Sequence, residues 1–393
     1  MIPKYYEFLN SVKILSGAKA LENIPYEMKM FGVKRPIILS DAILQKIGAI
    51  DKVITAINGE LDTSVIFTDI PADSSDKVVN EIRKIYIEKE CDGIIAIGGG
   101  SVIDTAKGVR MLISQEVEDI MLLMGSEVIN KGKKVPFIVV PTTSGTGSEA
   151  TLVAVISNPD KGIKMEFISY ELLPDAAVLD TRMVETMPPK ITASTGMDAL
   201  CHSIEAFTGL QRNPLSDAYA LSAIRLIGEY IETAVSAPAD KKARLAMANA
   251  SLMAGIAFSN SMVGLAHAIG HAAGGVSHIP HGDAMAILLP HVMEFNMATC
   301  EDRYAEILLY LAGADVYAGA PKEERGKLCV EKIRQMLEKL NKLCGLPIRL
   351  KDTRVTEIDI VPIAEKAIND GAIVVNPVGA TKEDVIAILK KAF

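Results

Sequence analysis

The chain has no C-x-x-C pair, and its five cysteines (Cys91, Cys201, Cys300, Cys329 and Cys344) are odd in number and widely spaced. That pattern argues against a disulfide framework and fits a reducing cytoplasm. Lysine and arginine form no basic block, and 49 acidic side chains against 41 basic ones leave a net charge of -8. A nucleic-acid partner requires the opposite, a basic footprint. The opening MIPKYYEFLNSV lacks the charged, apolar and small-residue succession of a secretory signal. No internal repeat or low-complexity linker occurs. With 29 Gly, 18 Pro, 49% hydrophobic and 23% charged residues, the composition excludes collagen-like and disordered chains. A length of 393 residues exceeds what one core fills, so two domains are expected.

One long stretch, Leu245 to Gly282, has no Asp, Glu, Lys or Arg over 38 residues. Its Asn249, Asn260, His267, His271, His278 and many glycines would be costly in lipid, which argues against a membrane span. Buried helices at the centre of a domain are expected instead.

The first half alternates short β-branched apolar runs (Pro36 to Leu39, Ser64 to Thr68, Gly93 to Ile97, Phe137 to Val140) with amphipathic segments such as Ser75 to Glu88. This repetition predicts a mostly parallel, Rossmann-like sheet covered by helices. After Pro188-Pro189 the pattern becomes Ala/Leu/Met-rich and helical, and Thr381 with Asp384 reads as the capping box of a last helix. The expected organisation is an α/β domain over residues 1–188 and an all-helical domain over 189–393.

Two loops follow strands. Gly98-Gly99-Gly100-Ser101 leads directly into the helical run VIDTAKGVRML; glycine lets a phosphate approach the backbone, and the helix N-terminus supplies N–H donors and a favourable dipole. The loop is neither a G-x-G-x-x-G fingerprint nor a P-loop with its Lys-Ser/Thr. The second loop is Pro141-Thr142-Thr143-Ser144-Gly145-Thr146-Gly147-Ser148-Glu149, rich in hydroxyls. Asp41, directly after an early strand, reads by its spacing as a helix N-cap.

All six histidines lie between positions 202 and 291. Asp198 and His202 are spaced i, i+4 on a predicted helix, as are His267 and His271 on another, and His281 follows in a turn. Imidazoles with a carboxylate suit zinc or iron, and three or four such ligands with an open position make a catalytic site. An apolar surround makes Asp198 costly without a cation. Spacing leaves His271, His278 and His281 as alternatives for the remaining ligand. Cys201 reads as packing on another helix face.

With these residues in view, the chain resembles the iron-containing (group III) alcohol dehydrogenase family over essentially its full length. The resemblance is carried by GGGSVIDTAK, PTTSGTGSEAT, MPPKITASTGMDALCHSIEAF, GLAHAIGHAAGG and PHGDAMAILLPHVMEFN, in the family's order and spacing. It implies the dehydroquinate synthase-like fold of iron-type alcohol dehydrogenases and an NAD-dependent dehydrogenase for short primary alcohols, working in reverse as an aldehyde reductase. It implies a metal, Fe2+ or alternatively Zn2+, on Asp198, His202, His267 and His281, with His271 relaying a proton. Cofactor contacts map onto Gly98, Gly99, Gly100 and Ser101 for the pyrophosphate, and onto Thr142, Thr143, Ser144, Gly147, Thr151 and Lys164 for the adenine and nicotinamide. Asp41 maps onto the acidic residue that receives the ribose hydroxyls and repels a 2'-phosphate, so NAD is preferred over NADP. Phe258 would wall the substrate pocket, and Val153 stands where some diol-processing relatives have a polar residue. A homo-oligomer, dimer or larger, is also expected. Other readings are a glycerol, polyol or diol dehydrogenase of the same fold, a sugar-phosphate enzyme, and a non-catalytic nucleotide- and metal-binding scaffold.

Overall fold

Short, fully apolar segments such as Pro36–Leu39 and Phe137–Pro141 can be buried on both faces, which is the requirement for the interior of a parallel sheet. In the computed structural model, which describes residues 3–124, 129, 131–161 and 163–393, they are central strands. The strands are β1 (Lys13–Ser16), β2 (Pro36–Leu39), β3 (Ile66–Phe67), β4 (Gly93–Gly98), β5 (Phe137–Pro141), β6 (Val153–Asn158), β7 (Ile163–Ile168) and β8 (Ala176–Leu179). Six form one parallel sheet in the order β1-β8-β5-β4-β2-β3, while β6 and β7 pair antiparallel on their own.

The register aligns Ile38 with Ile95, and Ile95 with Ile138, so a two-residue period sorts side chains to opposite faces. Ile37, Leu39, Ile94, Ala96, Phe137 and Val139 pack on one side, against Val79 and Ile82 of the helix Asp76–Glu88, Ile103 and Val109 of the helix Gly100–Ser114, and the β6–β7 hairpin. Ile38, Ile95, Ile97, Ile138, Val140 and Val178 pack on the other, against Ile24, Met28, Val53 and Ile57.

Several elements differ from the sequence expectation. The run Ser64 to Thr68 shrinks to the two-residue β3, because it lies at the sheet edge with a partner on one side only. The other edge strand β1, the alanine-rich β8 and the β6–β7 hairpin carry weaker patterns and were not anticipated.

Two compact units result. The first comprises Asn10–Thr143 and Gly147–Thr186, the second Met1–Leu9, Ser144–Thr146 and Met187–Phe393. The second is helical, with Pro189–Thr208, Pro214–Ser236, Lys241–Ser259, Leu265–Ser277, His281–Ala312 and Arg325–Cys344 as its longer helices. Pro189–Thr208 lies at its centre, buried almost throughout from Thr192 to Thr208. Its start is held by the buried Arg244, which donates to Thr192 Oγ1 (2.6 Å) and to Met187 O (2.8 Å). The charge-free stretch falls on the helices Lys241–Ser259 and Leu265–Ser277. No helix among the described residues is long and apolar enough to cross a membrane.

Candidate functional site

In the helical unit, a spacing of three, four and seven residues brings Asp198, Cys201, His202 and Glu205 to one side of the helix Pro189–Thr208. The helix Leu265–Ser277 presents His267 and His271, and His281 opens the next helix. Asp198 Oδ1 lies 3.7 Å from His202 Nδ1, 3.7 Å from His267 Nε2 and 3.4 Å from His281 Nε2. Asp198 Oδ1, His202 Nδ1 and His267 Nε2 are buried and have no hydrogen-bond partner. Buried polar atoms without partners are rare in folded proteins. Three of them converging on one point, all lone-pair donors from carboxylate and imidazole, fit a divalent metal ion.

The electrostatics agree with this fit. Burial pushes the Asp198 carboxyl upward, but the ring nitrogens of His202, His281 and His267 gathered around it outweigh that, leaving it well below the usual range. Burial takes His202 down to about 3 and lowers His281 as well, so both rings stay neutral and keep lone pairs at neutral pH. His267 is the exception: burial opposes its charging, but the Glu205 and Asp198 carboxylates raise it well above the ordinary value. Held between two carboxylates, this ring calls for one positive charge in its vicinity, a proton or a metal ion. Phe258 stacks on the His202 ring with centroids 4.3 Å apart, an apolar wall on that side of the cluster.

His271 stacks on His281 (centroids 5.4 Å apart) and its Nδ1 lies 3.0 Å from Asp370 Oδ2. Its side chain is 33% exposed where that of His267 is 2%, so it offers a way to solvent. His278, left open by spacing, is exposed at the left-handed C-cap of its helix. Cys201 differs from the expected separate face: its Sγ is 3.9 Å from His267 Nδ1, and burial pushes the thiol up to about 12, which leaves it no nucleophile at neutral pH.

In the α/β unit, the carboxyl ends of β4 and β5 lie side by side, and the Thr142 amide donates to Gly98 O (3.0 Å). A Cβ on Gly98 would come within 2.5 Å of Val102, so only glycine lets the strand turn this tightly into its helix. That helix, Gly100–Ser114, has Gly99 at its N-cap and no side-chain cap, which leaves first-turn amides available for an anion. Ser101 Oγ donates to Ala72 O. Asp41 caps the helix Ala42–Lys46, its Oδ1 accepting from the amides of Ile43 and Leu44 (both 2.9 Å). Ser144, grouped with the helical unit, has a buried hydroxyl without a partner. Gly147 takes φ +61° to open the short turn Ser148–Ala150. Lys164, on β7, pairs at 3.1 Å with Asp73 on the surface.

Sequence reasoning missed a buried hub here. Lys107 Nζ donates to Ser148 Oγ (2.9 Å), Thr151 O (2.8 Å), Thr151 Oγ1 (2.9 Å) and Val153 O (2.7 Å). Asp104 accepts from Ser148 Oγ (2.7 Å) and the Val155 amide (3.0 Å). The two motifs GGGSVIDTAK and PTTSGTGSEAT are thereby joined, and the Thr151 hydroxyl is committed to Lys107. Burial lowers Lys107 to about 8, raises Asp104, and raises the neighbouring Glu149 to about 7. Glu205 and Asp370 were also missed. Glu205 was visible seven residues after Asp198, whereas nothing local marks Asp370.

Residues 11–181 match the family model described as iron-containing alcohol dehydrogenase, and residues 192–393 match the model for the C-terminal part of the Fe-containing alcohol dehydrogenase family. The NAD-dependent methanol dehydrogenase of Bacillus methanolicus is 35% identical over 380 residues, covering 96% of this chain and 97% of that protein. The NADPH-dependent butanol dehydrogenase of Clostridium saccharobutylicum is 35% identical over 392 residues, covering 97% of this chain and 95% of that protein. A crystal structure of 1,3-propanediol oxidoreductase superposes with a TM-score of 0.94 at 31% identity, over 99% of this chain and all of the other.

Proposed function

The chain belongs to the iron-containing alcohol dehydrogenase family and is an NAD-dependent alcohol dehydrogenase, and from that premise we propose that it interconverts short primary alcohols and their aldehydes, with a divalent metal held by Asp198, His202, His267 and His281. The observation that carries the metal assignment is the convergence of three buried, unpartnered atoms, Asp198 Oδ1, His202 Nδ1 and His267 Nε2. Fe2+ is the ion proposed, with Zn2+ the alternative that the same donors accept. When bound, such an ion supplies Lewis acidity that stabilises negative charge on the substrate oxygen. NAD supplies the hydride acceptor.

The chain's residues bind and orient. We assign the nucleotide to residues 1–188 and the metal to residues 189–393. The uncapped first turn of Gly100–Ser114, with Gly98, Gly99 and Ser101, receives the pyrophosphate. Thr142, Thr143, Ser144, Gly147 and Lys164 line the rest of the dinucleotide, and Thr151 holds that loop through Lys107. Asp41 receives the ribose hydroxyls through Oδ2, since Oδ1 serves the helix cap. Its charge disfavours a 2'-phosphate, which supports NAD in a family whose members also use NADPH. Phe258, stacked on His202, is the apolar wall assigned to the substrate beside the metal cluster, and Val153 is assigned separately to substrate selection. His271, hydrogen-bonded to Asp370 and partly exposed, passes the released proton toward solvent.

A diol substrate is the second reading, favoured by the likeness to 1,3-propanediol oxidoreductase. We further place the enzyme in the cytoplasm, consistent with five unpaired cysteines, and expect a homo-oligomer. The test is purification without oxygen, separate reloading with Fe2+ and Zn2+, and NADH formation from a panel of short primary alcohols and diols. Turnover that needs metal and disappears in His267→Ala supports the proposal, and a ranking that puts diols first moves it to the second reading. Absence of NADH with every metal and alcohol refutes it.

A further inference from the structure

The helix Leu265–Ser277 carries His267 and His271, yet its own N-cap, Gly264, has no side chain to satisfy the first amides. Three successive amides find partners on other elements. Gly264 N donates to Glu205 Oε2 (2.8 Å), Leu265 N to Asn376 Oδ1 (3.3 Å) and Ala266 N to Glu205 Oε1 (2.7 Å). Glu205 thus caps a helix it does not belong to, bringing negative charge to the positive end of that helix. Its Oε2 also lies 2.5 Å from His267 Nδ1.

A carboxylate only accepts hydrogen bonds, so this contact puts the proton on Nδ1 and leaves the lone pair on Nε2. His267 Nε2 is the buried, unpartnered atom 3.7 Å from Asp198 Oδ1. We propose that Glu205 is the positioning residue that presets His267 as a metal ligand, by fixing its tautomer and ring orientation with the same carboxylate that caps the helix carrying it. One side chain therefore couples the docking of the helix to the readiness of the site. This rests on the metal reading above and adds to it a determinant of affinity outside the four ligands. Partners of this kind, behind a histidine ligand, typically contribute about 10- to 100-fold in metal affinity.

Glu205→Gln keeps the size of the side chain but disturbs cap and orienter together. With an amide, whichever end faces the helix, one N–H donor meets another. If the NH2 faces His267, the ring must accept at Nδ1 and carry its proton on Nε2, toward Asp198. Glu205→Ala removes cap and orienter together, so a second change separates them. A Cβ on Gly264 would lie 3.1 Å from Glu205 Oε1 and 3.4 Å from its Cδ. Truncating Glu205 clears its share of that space, the Asn376 Oδ1 that would also lie 3.1 Å away has to give by a few tenths of an ångström, and Gly264→Ser then offers an N-cap hydroxyl that leaves His267 untouched.

The experiment titrates metal-free wild type, E205Q, E205A and E205A/G264S with Co2+ alone against a chromophoric chelator, recording the visible Co2+ spectrum and thermal melting, with His202→Ala as control. The expected result is a loss of Co2+ affinity of about 10- to 100-fold in E205Q and in the double variant, with an altered spectrum, while the double variant regains the stability lost in E205A. Wild-type affinity and spectrum in the folded Glu205 variants, with stability alone reduced, would reduce the residue to a helix cap and overturn the proposal. A wild type that takes up no Co2+ would overturn the metal reading itself and this inference with it. A wild type whose Co2+ affinity depends on Glu205 but that oxidises no alcohol would remove the substrate assignment and leave this inference standing.

Discussion

Replacing Lys107 by methionine tests the hub that joins the two nucleotide-side motifs. Lys107 is fully buried, and its ammonium makes four contacts of 2.7 to 2.9 Å to Ser148, Thr151 and Val153. Methionine has a similar length, so the cavity contribution is small, and the loss comes from polar groups left without a donor. Removing one member of a buried charged set typically costs about 3–5 kcal/mol. Two effects pull toward the lower end. The ammonium no longer has to be desolvated, and Asp104, already raised by burial, can take up a proton while keeping its bonds to Ser148 and Val155. About 3 kcal/mol is therefore expected. The chain has no tryptophan and ten tyrosines, so urea unfolding is followed by far-UV circular dichroism and tyrosine fluorescence. The KM for NAD rises, because Ser148 and Thr151 lose their anchor, and Co2+ affinity stays unchanged. A destabilisation below about 1 kcal/mol with an unchanged KM would refute the hub's role.

The same cluster gives stability a pH dependence. Glu149, raised to about 7, contributes stability that is complete below its unfolded value of 4.5 and lost as pH rises through about 7. Lys107, lowered to about 8, contributes only as pH climbs above that value, so near neutrality both costs apply. Glu149→Gln should accordingly gain on wild type by about 2–3 kcal/mol between about pH 5 and pH 7.5 in paired urea titrations; a constant difference contradicts this. Asp41→Ser keeps a good N-cap but removes the charge, so the ratio of kcat/KM for NAD over NADP should fall at least about tenfold with stability changed by less than about 1 kcal/mol. An unchanged ratio removes Asp41 from nucleotide selection. Asp370→Asn should lower kcat by about tenfold and change its pH profile at constant metal content, and full turnover with the wild-type profile would show that His271 needs no such partner.

Much of this protein is determined locally. Central strands buried on both faces, such as Ile94 to Ile97, must be continuous apolar runs, and a helix that aims two side chains at one point spaces them by three, four or seven, as Asp198 and His202 are spaced by four. Glycine at position 98 and the capping box at Thr381 are equally local demands. These features identify the family, the parallel sheet and most of the candidate metal cluster before any coordinates.

What the linear pattern does not contain are partners brought from afar. Position along the chain gives no reason for Lys107 to meet Thr151, or for His271 to meet Asp370 99 residues on. Cys201 stands against His267 because two helices pack there, and Glu205 caps a helix 59 residues further on. The two edge strands and the β6–β7 hairpin escape notice because single-sided pairing tolerates weak patterns. Periodicity records which face of an element is buried, and so determines the elements and the ligand pairs. Which buried polar group satisfies which is decided only when the elements pack, because a desolvated donor or acceptor must find its partner wherever the tertiary structure places one.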